Sequence, residues 1–374
     1  MPDAPPLTLS RSVHGWRRRL SRGLLDRLLP HATQATDEPL PLTGIHRILV
    51  VKVSHTLGNT LLVTPLLREL ETAYPGAEVD VVTRSPVGAQ VFAGFPCLGT
   101  VHVLPRHAFR EPLTWLRRVR AMRRAGYDLA IDVDIRSQTG RALVNLVRPR
   151  HSLGFIGAAK QSRVNHGIDV PESPRGIGAL PVYLLRRARR DADYGRYPAP
   201  QLRLSPSERE YGRQRLAAVL ANSPQARVPT SDATVPPVIG IFANATGAKC
   251  LPLEWWTRFL GVLEPACADH AIVELLPAFA RSMLEDRYPT FFSSDIRGLA
   301  AVQSALALHV SADCGVMHLA DAAGAPTVGL FDGTDPGQWA PGGEGGTHVA
   351  IAGRTPEAVA VDVIAHLRGG DALP

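Results

Sequence analysis

One segment near the C-terminus constrains the fold more than any other part of the chain. An apolar run, 305–310, stops at a short polar turn that contains Gly315, and a helix-like stretch follows with His318 in its first turn. A second β-like run, 327–331, ends in a loop of Gly, Thr, Asp and Pro. This order predicts a strand–loop–helix–strand–loop unit. In an open parallel sheet both loops lie at the carboxyl ends of the strands, where ligands bind, and the first amides of the helix favour an anion.

The rest of the chain repeats this alternation of strands and helices. Strands are predicted at 48–53, 79–83, 101–104, 129–133, 152–155, 238–242, 271–275, 308–310 and 327–331. Helices are predicted at 60–74, 87–93, 113–125, 206–221, 253–266, from Ala280 onward, 296–305 and 355–367. Strands separated by helices favour parallel, doubly wound sheets. Residues about 205–237 contain the helix 206–221 and then a loop rich in Pro, Ser and Thr, and this segment predicts the boundary between two such halves.

The composition is that of a globular protein with two domains. The 374 residues are 45% hydrophobic and 20% charged, and no apolar run is long enough to cross a bilayer. The N-terminus lacks the apolar core of a signal peptide. The 4 cysteines have neither metal-ligand nor redox spacing, which predicts free thiols in a reducing cytoplasm.

The excess of positive charge favours an anionic partner. The net charge is +7, and arginines cluster at 17–22, 117–124 and 186–190. A membrane surface or a phosphorylated glycolipid would suit these clusters, although solvated Arg-rich helix faces explain them equally well. Nucleic acid ranks last, because no aromatic interleaving or helix-turn-helix pattern is present. The run 13–29 predicts a basic amphipathic helix that lies either in a membrane interface or on the globular body.

Three ordered motifs resemble glycosyltransferase family 9, the ADP-heptose:lipopolysaccharide heptosyltransferase family. The C-terminal motif runs from Asp313 through Gly315 and His318 to Ala320, and continues with Gly324, Pro326, Thr327 and the run 331–336. The N-terminal motif comprises 48–52, Ser54, 57–60 and 64–67. A weaker match at 238–256 contains Lys249, Pro252 and Trp256. Together the motifs cover roughly residues 45–345 of the chain.

The resemblance implies the α/β fold called GT-B, in which two Rossmann-like domains face an interdomain cleft. We expect an N-terminal basic amphipathic extension (1–44), an acceptor domain (45–205) and a donor domain (206–374). The implied reaction is an inverting, metal-independent transfer of a heptose or related sugar. It runs from a nucleotide-diphosphate donor resembling ADP-heptose to the lipopolysaccharide core or another envelope glycan. No cofactor, metal or nucleic acid is expected. We expect a cytoplasmic monomer, with peripheral contact at the inner membrane.

The resemblance also implies which residues form the site. The predicted donor-binding residues are Asn244, Lys249, Asp313, Cys314, Gly315, Val316, His318, Thr334 and Asp335. The predicted acceptor-binding residues are Ser54, Gly58 and Thr60. A departing diphosphate needs basic groups and helix amides that stabilise its negative charge. Taken singly, Lys249 would be a solvated loop lysine and Asp313 a helix cap, but their occurrence in one ordered block favours the functional interpretation.

The general base is where the sequence departs from this family. The family has an Asp after the first glycine of the N-terminal loop, and this chain has Asn59, whose amide cannot accept a proton at neutral pH. Asn59 and His55 are therefore the predicted catalytic positions, with His55 as the hypothetical base. A carboxylate at Asp132 or Asp134 is the alternative, and a third is that Asn59 and His55 only shape the turn.

Two other functions remain open from the sequence. The first is a catalytically silent relative that binds a nucleotide-sugar or glycan as a scaffold or regulator. Three features favour it: Asn59, Cys314 in place of the family's Ser or Thr, and the absence after Val273 of the glycine pair that relatives commonly have. A dinucleotide enzyme is disfavoured, because no G-x-G-x-x-G follows the first strand.

Overall fold

Two six-stranded sheets, each parallel throughout, form the framework of the molecule. The structure is a computed structural model that describes residues 35–105, 111–157, 164–171, 176–191, 196–224 and 236–369. The strands are β1 (Arg47–Val51), β2 (Glu78–Thr83), β3 (Leu98–Val103), β4 (Leu129–Asp132), β5 (His151–Ile156), β6 (His166–Asp169), β7 (Val238–Phe242), β8 (Ala271–Leu275), β9 (Thr290–Phe291), β10 (Leu308–Ala312), β11 (Thr327–Phe331) and β12 (Gly346–Ala350).

Helices connect these strands. They are α1 (Leu57–Leu61), α2 (Thr64–Ala73), α3 (Gly88–Phe92), α4 (Pro112–Ala125), α5 (Gln138–Val147), α6 (Leu180–Arg189), α7 (Pro206–Ala221), α8 (Leu253–Ala266), α9 (Ile296–Gln303), α10 (Gly315–Ala323), α11 (Pro336–Trp339) and α12 (Pro356–Leu367), with a 3₁₀ turn at Gly247–Lys249. None of the helices described is long and apolar enough to span a bilayer. The predicted amphipathic helix within residues 12–30 lies outside the described residues, as does 225–235 of the predicted boundary loop.

Both sheets have the same strand order. The first runs β3-β2-β1-β4-β5-β6 and the second β12-β11-β10-β7-β8-β9, which is the order 3-2-1-4-5-6 when each half is numbered separately. The order reverses between β1 and β4 and between β7 and β10, and ligands of doubly wound sheets bind at the carboxyl ends of such strand pairs. The predicted fold class, α/β with two Rossmann-like halves, is confirmed.

Continuous apolar runs explain why the central strands were predictable. All five residues of β7 are buried, and β8, β10 and β11 are likewise buried throughout. Strands covered by helices on both faces show such runs rather than alternation. The strands β6, β9 and β12 were missed because they are short or partly exposed and carry no apolar run.

Several helix predictions need correction. The predicted helix 60–74 is divided into α1 and α2, with Pro65 in the first turn of α2, where proline is tolerated. The helix predicted from Ala280 is wrong, because 276–289 forms turns in which Ala280, Glu285 and Asp286 have positive φ. Such left-handed residues interrupt a right-handed helix. The helices α5 and α6 were not predicted.

The two halves are in direct contact through backbone and side chains. The side-chain Oε1 of Gln90, in α3, accepts a hydrogen bond from the backbone N of Ile296 at the start of α9 (2.9 Å). The backbone N of Ile177 donates to the carbonyl of Gln338 in α11 (2.9 Å). These contacts bring the carboxyl edges of the two sheets together, so the loops after their strands meet at one junction.

Candidate active site

An ion pair lies at the switch point of the second sheet. Lys249, in the turn after β7, places its Nζ 2.5 Å from the Oδ2 of Asp313, which directly follows β10. The Asp313 side chain is 7% exposed and that of Lys249 is 39% exposed, so the carboxylate is enclosed and the ammonium remains accessible. The two predicted donor-binding residues therefore meet where a doubly wound sheet binds its ligand.

The first turn of α10 offers backbone amides at the same place. The N-cap residue, Cys314, has extended backbone angles (φ −154°, ψ 175°), and no side chain caps the helix. Asp313 pairs with Lys249 instead, so the alternative that it serves as the helix cap is wrong. Burial raises the pKa of the Cys314 thiol, although the amides of Met317 and Val316 oppose that rise. A neutral thiol therefore lies beside amides that are suited to an anion.

His318 is a neutral imidazole at the junction. It is 4% exposed, and burial lowers its pKa to about 4; Lys249 also lowers it, while Asp313 opposes the shift. At neutral pH the ring therefore offers one N–H donor and no fixed charge. The ring of Trp339 lies 6.4 Å from that of His318, centroid to centroid, and the two rings are tilted by 54°.

Two glycines bring the halves into contact at this point. A Cβ placed on Gly58, in α1, would lie 2.9 Å from the Cδ2 of His318, and one placed on Gly315 would lie 3.2 Å from the backbone N of Gly58. No larger residue fits at either position without a shift of its neighbours. The N-terminal loop motif and the C-terminal motif are thus in contact, as their common assignment to one site requires.

The first sheet carries a matching ion pair at its own switch point. Lys52 follows β1 and Asp134 follows β4, and the Nζ of the lysine lies 2.5 Å from the Oδ1 of the aspartate. Their side chains are 14% and 15% exposed. Asp134 was predicted as an alternative general base, but its pairing with Lys52 was not predicted. A detectable signal is present, because a Lys follows the first strand and an Asp follows the fourth strand of each half.

The candidates for the general base are placed very differently. Asp132 is fully buried, and its Oδ2 accepts from the Nε of Arg141 at 3.0 Å, so it cannot reach a substrate. His55 is exposed, and Asn59 donates from its Nδ2 to the Oγ1 of Thr56 (2.8 Å). Asp134 is the carboxylate of the two that retains an exposed surface.

The remaining predicted residues lie around the same junction. The carbonyl of Ser54 accepts from the hydroxyl of Thr83 (3.1 Å) and from the backbone N of Arg84 (3.0 Å). Thr60 is 1% exposed and its hydroxyl donates to the carbonyl of Thr56 (2.8 Å), so that hydroxyl is engaged within the loop. Their acceptor-binding roles stay predictions.

On the donor side, the loops after β7, β10 and β11 supply the other predicted residues. Asn244 and Thr334 are partly buried in two of these loops. Asp335 caps α11 by accepting from the backbone N of Gly337 (2.9 Å), and the carbonyl of Val316 accepts from the Nε2 of Gln303 (3.3 Å). Among the residues that the structure describes, no group of three or more His, Cys, Asp and Glu side chains is placed to hold a metal ion.

Comparison with known proteins identifies the class of this molecule. The family model "Glycosyltransferase family 9 (heptosyltransferase)" matches residues 293–367, which include Asp313, Gly315 and His318. A comparison of the sequence with curated proteins gives no significant match.

Solved structures with the same fold include three relatives. The family 9 glycosyltransferase from Veillonella parvula DSM 2008 is 14% identical, with a TM-score of 0.71 over 90% of this chain and 100% of that one. The E. coli ADP-heptose lps heptosyltransferase II is 18% identical, with a TM-score of 0.66 over 86% and 99% of the two chains. E. coli heptosyltransferase WaaC with ADP is 19% identical, with a TM-score of 0.62 over 86% and 99%.

The motif resemblance and the fold agree. The family match covers the C-terminal motif, and the structural matches extend over both sheets. The resemblance to glycosyltransferase family 9 is confirmed, and the chain is a glycosyltransferase with the fold of the heptosyltransferases.

Proposed function

We propose that the protein transfers a heptose or related sugar from a nucleotide-diphosphate donor to an envelope glycan, with inversion and without a metal. The observation that carries the proposal is the convergence of Lys249, the amides at Gly315 and the imidazole of His318 on one point at the junction. Two of the solved relatives are named for heptose transfer and one of them is described with ADP, which supports an ADP-heptose-like donor. The acceptor is the core of lipopolysaccharide or a related glycan.

The donor binds the second half, within residues 206–374. Its diphosphate takes the place of the Asp313 carboxylate as partner of the Lys249 ammonium, which is the exposed member of their ion pair. The amides of the first turn of α10 and one N–H of His318 then stabilise the negative charge that develops as the anomeric C–O bond breaks. Asp313, once released from Lys249, accepts hydrogen bonds from hydroxyls of the donor sugar.

The acceptor binds the first half, within residues 45–205, and Asp134 is the base. Asp134 accepts the proton of the attacking hydroxyl, while the ion pair with Lys52 fixes the position of the carboxylate. The oxygen of the acceptor forms the new bond to the anomeric carbon, and the electron pair of the broken bond leaves on the nucleoside diphosphate. His55 and Asn59 shape the turn that leads into α1.

Turnover assays with two variants test the assignment of the base. Asp134→Asn should lower kcat by about 10²–10⁴-fold, the contribution typical of a general base, while nucleotide binding is unchanged. His55→Gln is the matched control and should keep its activity. The opposite pattern would assign the general base to His55.

An activity assay in EDTA tests the metal-independent reaction. Activity lost in EDTA and restored by a divalent ion would contradict it.

A silent relative that binds a nucleotide-sugar or glycan without transfer is the second candidate. The observation that favours it is Asn59, whose amide is engaged with Thr56 and cannot accept a proton. Release of a nucleoside diphosphate from ADP-heptose in the presence of an acceptor distinguishes the two functions, since a silent relative binds the donor and releases nothing.

We further propose a monomer that acts in the cytoplasm, with peripheral contact at the inner membrane.

A further inference from the structure

Arg84 is a half-buried cation without an ionic partner among the described residues. It directly follows β2, and its Nε is buried and makes no hydrogen bond to any described group. Burial lowers the pKa of its guanidinium, and no carboxylate offsets that effect. The neighbouring Ser85 is fully buried, and its Oγ is also without a hydrogen-bond partner in the described structure.

Four other arginines of the interior each form an ion pair with a carboxylate. The pairs are Arg141 with Asp132, Arg186 with Glu69, Arg203 with Glu71 and Arg297 with Glu208. Desolvating a charge is unfavourable unless a partner compensates, and buried polar groups almost always have one. An arginine left without a partner at a functional junction therefore indicates a partner that arrives with a ligand.

The position of Arg84 shows which ligand it faces. Its backbone N donates to the carbonyl of Ser54 (3.0 Å), and the hydroxyl of Thr83 donates to the same carbonyl (3.1 Å), so the segment is fixed to the loop that precedes α1. The helix α3 follows four residues later and contacts α9 of the second half through Gln90. Arg84 thus lies at the carboxyl edge of the first sheet, one strand away from the Lys52–Asp134 pair.

We propose that Arg84 anchors a subsite for an oxyanion on the acceptor, a phosphate or a carboxylate group attached to the sugar that receives the transfer. A guanidinium binds either group through two parallel N–H donors. The subsite rests on the proposed function, because it assigns to the acceptor the edge of the first sheet that the donor leaves free. It adds specificity, since a neutral glycan would leave the cation unpaired.

Thermal unfolding of the full chain with simple anions tests this subsite. The variants are Arg84→Met, which removes the charge, Arg84→Lys, which keeps it, and Arg213→Met as control, because Arg213 lies on α7 with a side chain 60% exposed. Inorganic phosphate and acetate are the probes, with ionic strength held constant by NaCl so that general screening does not contribute. ADP is titrated in parallel as a probe of the donor side.

The proposal predicts a paired result. Without an anion, Arg84→Met raises the Tm above that of the native chain, because an uncompensated charge is removed. The saturable rise in Tm with anion is lost in Arg84→Met, partly kept in Arg84→Lys and unchanged in Arg213→Met. A response to phosphate alone assigns the subsite to a sugar phosphate, and a response to acetate assigns it to a sugar carboxylate.

Three outcomes would overturn the subsite. A lower Tm for Arg84→Met without an anion would show that the guanidinium already has its partner in the folded chain. An anion response that is equal in Arg84→Met and the native chain would place anion binding elsewhere. Loss of the ADP response in Arg84→Met would assign the arginine to the donor. Failure of the proposed function is distinguishable, because failure of the donor site leaves ADP without effect on any variant, including the native chain, and failure of transfer leaves ADP-heptose unconverted in the turnover assay.

Discussion

At the scale of single residues, the site is organised by two lysine–aspartate pairs of different accessibility. Lys249 is 39% exposed beside an enclosed Asp313, whereas both members of the Lys52–Asp134 pair are about equally enclosed, at 14% and 15%. A ligand can therefore displace the partner of Lys249 more easily than that of Lys52. This difference fits a lysine that exchanges its partner on the donor side and one that holds a base in position on the acceptor side.

The buried pair of Asp132 and Arg141 is structural, and its loss should be costly. Both side chains are fully buried and 3.0 Å apart. Asp132→Asn leaves the guanidinium without its countercharge, so we expect a loss of about 3–5 kcal/mol in the free energy of unfolding. Urea denaturation measures it, with Arg213→Met as a surface control expected within about 0.5 kcal/mol of the native chain. A free energy of unfolding of Asp132→Asn equal to that of the native chain would contradict the structural role of the pair.

His309 predicts an acid-sensitive core. It is fully buried in β10, neither ring nitrogen has a hydrogen-bond partner among the described residues, and burial lowers its pKa from 6.5 to about 3. Below pH 6.5 the unfolded chain binds a proton that the folded chain does not bind until about pH 3. Stability is therefore lost as the pH falls through this window, by up to about 1.4 kcal/mol per pH unit.

Replacing His309 isolates this effect. Urea denaturation between pH 7 and pH 4 should give a shallower pH dependence for His309→Leu than for the native chain. Buried carboxyls with raised pKa, Glu274 and Asp321, oppose the trend, but they are common to both proteins and cancel in the comparison. Parallel curves for the two proteins would show that His309 is protonated equally in the folded and unfolded states.

At the scale of elements, the contact between α7 and α9 depends on a glycine. A Cβ placed on Gly212 would lie 1.9 Å from the carbonyl oxygen of Ala301, which is backbone and cannot move aside alone. We expect Gly212→Ala to destabilise the fold by at least about 2 kcal/mol through forced separation of the helices.

Gly261 is the matched control for this prediction. It lies inside α8, is exposed, and a Cβ placed on it would meet nothing within 4 Å. Gly261→Ala should therefore stabilise by about 0.5–1 kcal/mol, because alanine is the better helix former. Thermal unfolding of both variants measures the difference, and equal Tm values would contradict the close packing of α7 on α9.

Sequence patterns predicted those elements whose local signal agrees with the tertiary structure. The helix α7 begins with a capping box of Ser205 and Glu208, and its predicted bounds match the structure. The central strands were evident from apolar runs. The edge strand β9 has only two residues, and the turns near Ala280 contain left-handed backbone conformations that no residue pattern predicted. Such features are set by packing rather than by local propensity.

The same limit applies to the site. The family resemblance implied the donor-side residues, because the Asp313–His318 block is contiguous in the chain. The partners Lys52 and Asp134 are 82 positions apart, and only the strand order places them side by side. The isolation of Arg84 was likewise invisible in the sequence, because it depends on which groups are absent from its surroundings in the described structure.

At the scale of the whole molecule, the proposed transfer depends on the contact between the halves at Gly58 and Gly315. A methyl group on Gly58 would press against the His318 ring, so Gly58→Ala should lower turnover and Tm together, with Gly261→Ala as control. Under the proposed function, this close approach of α1 to α10 would hold donor and acceptor at reacting distance and exclude water between them. Native turnover in Gly58→Ala would show that the contact is not needed for transfer.

Calorimetric titration with ADP tests the central claim most directly, because that claim places the donor diphosphate between Lys249, the amides at Gly315 and His318. The native chain should bind ADP, and Lys249→Met should bind it at least about tenfold more weakly, a loss of about 1.4 kcal/mol. The control Arg213→Met should bind ADP like the native chain. Equal affinity of Lys249→Met and the native chain, or no binding by either, would contradict the account.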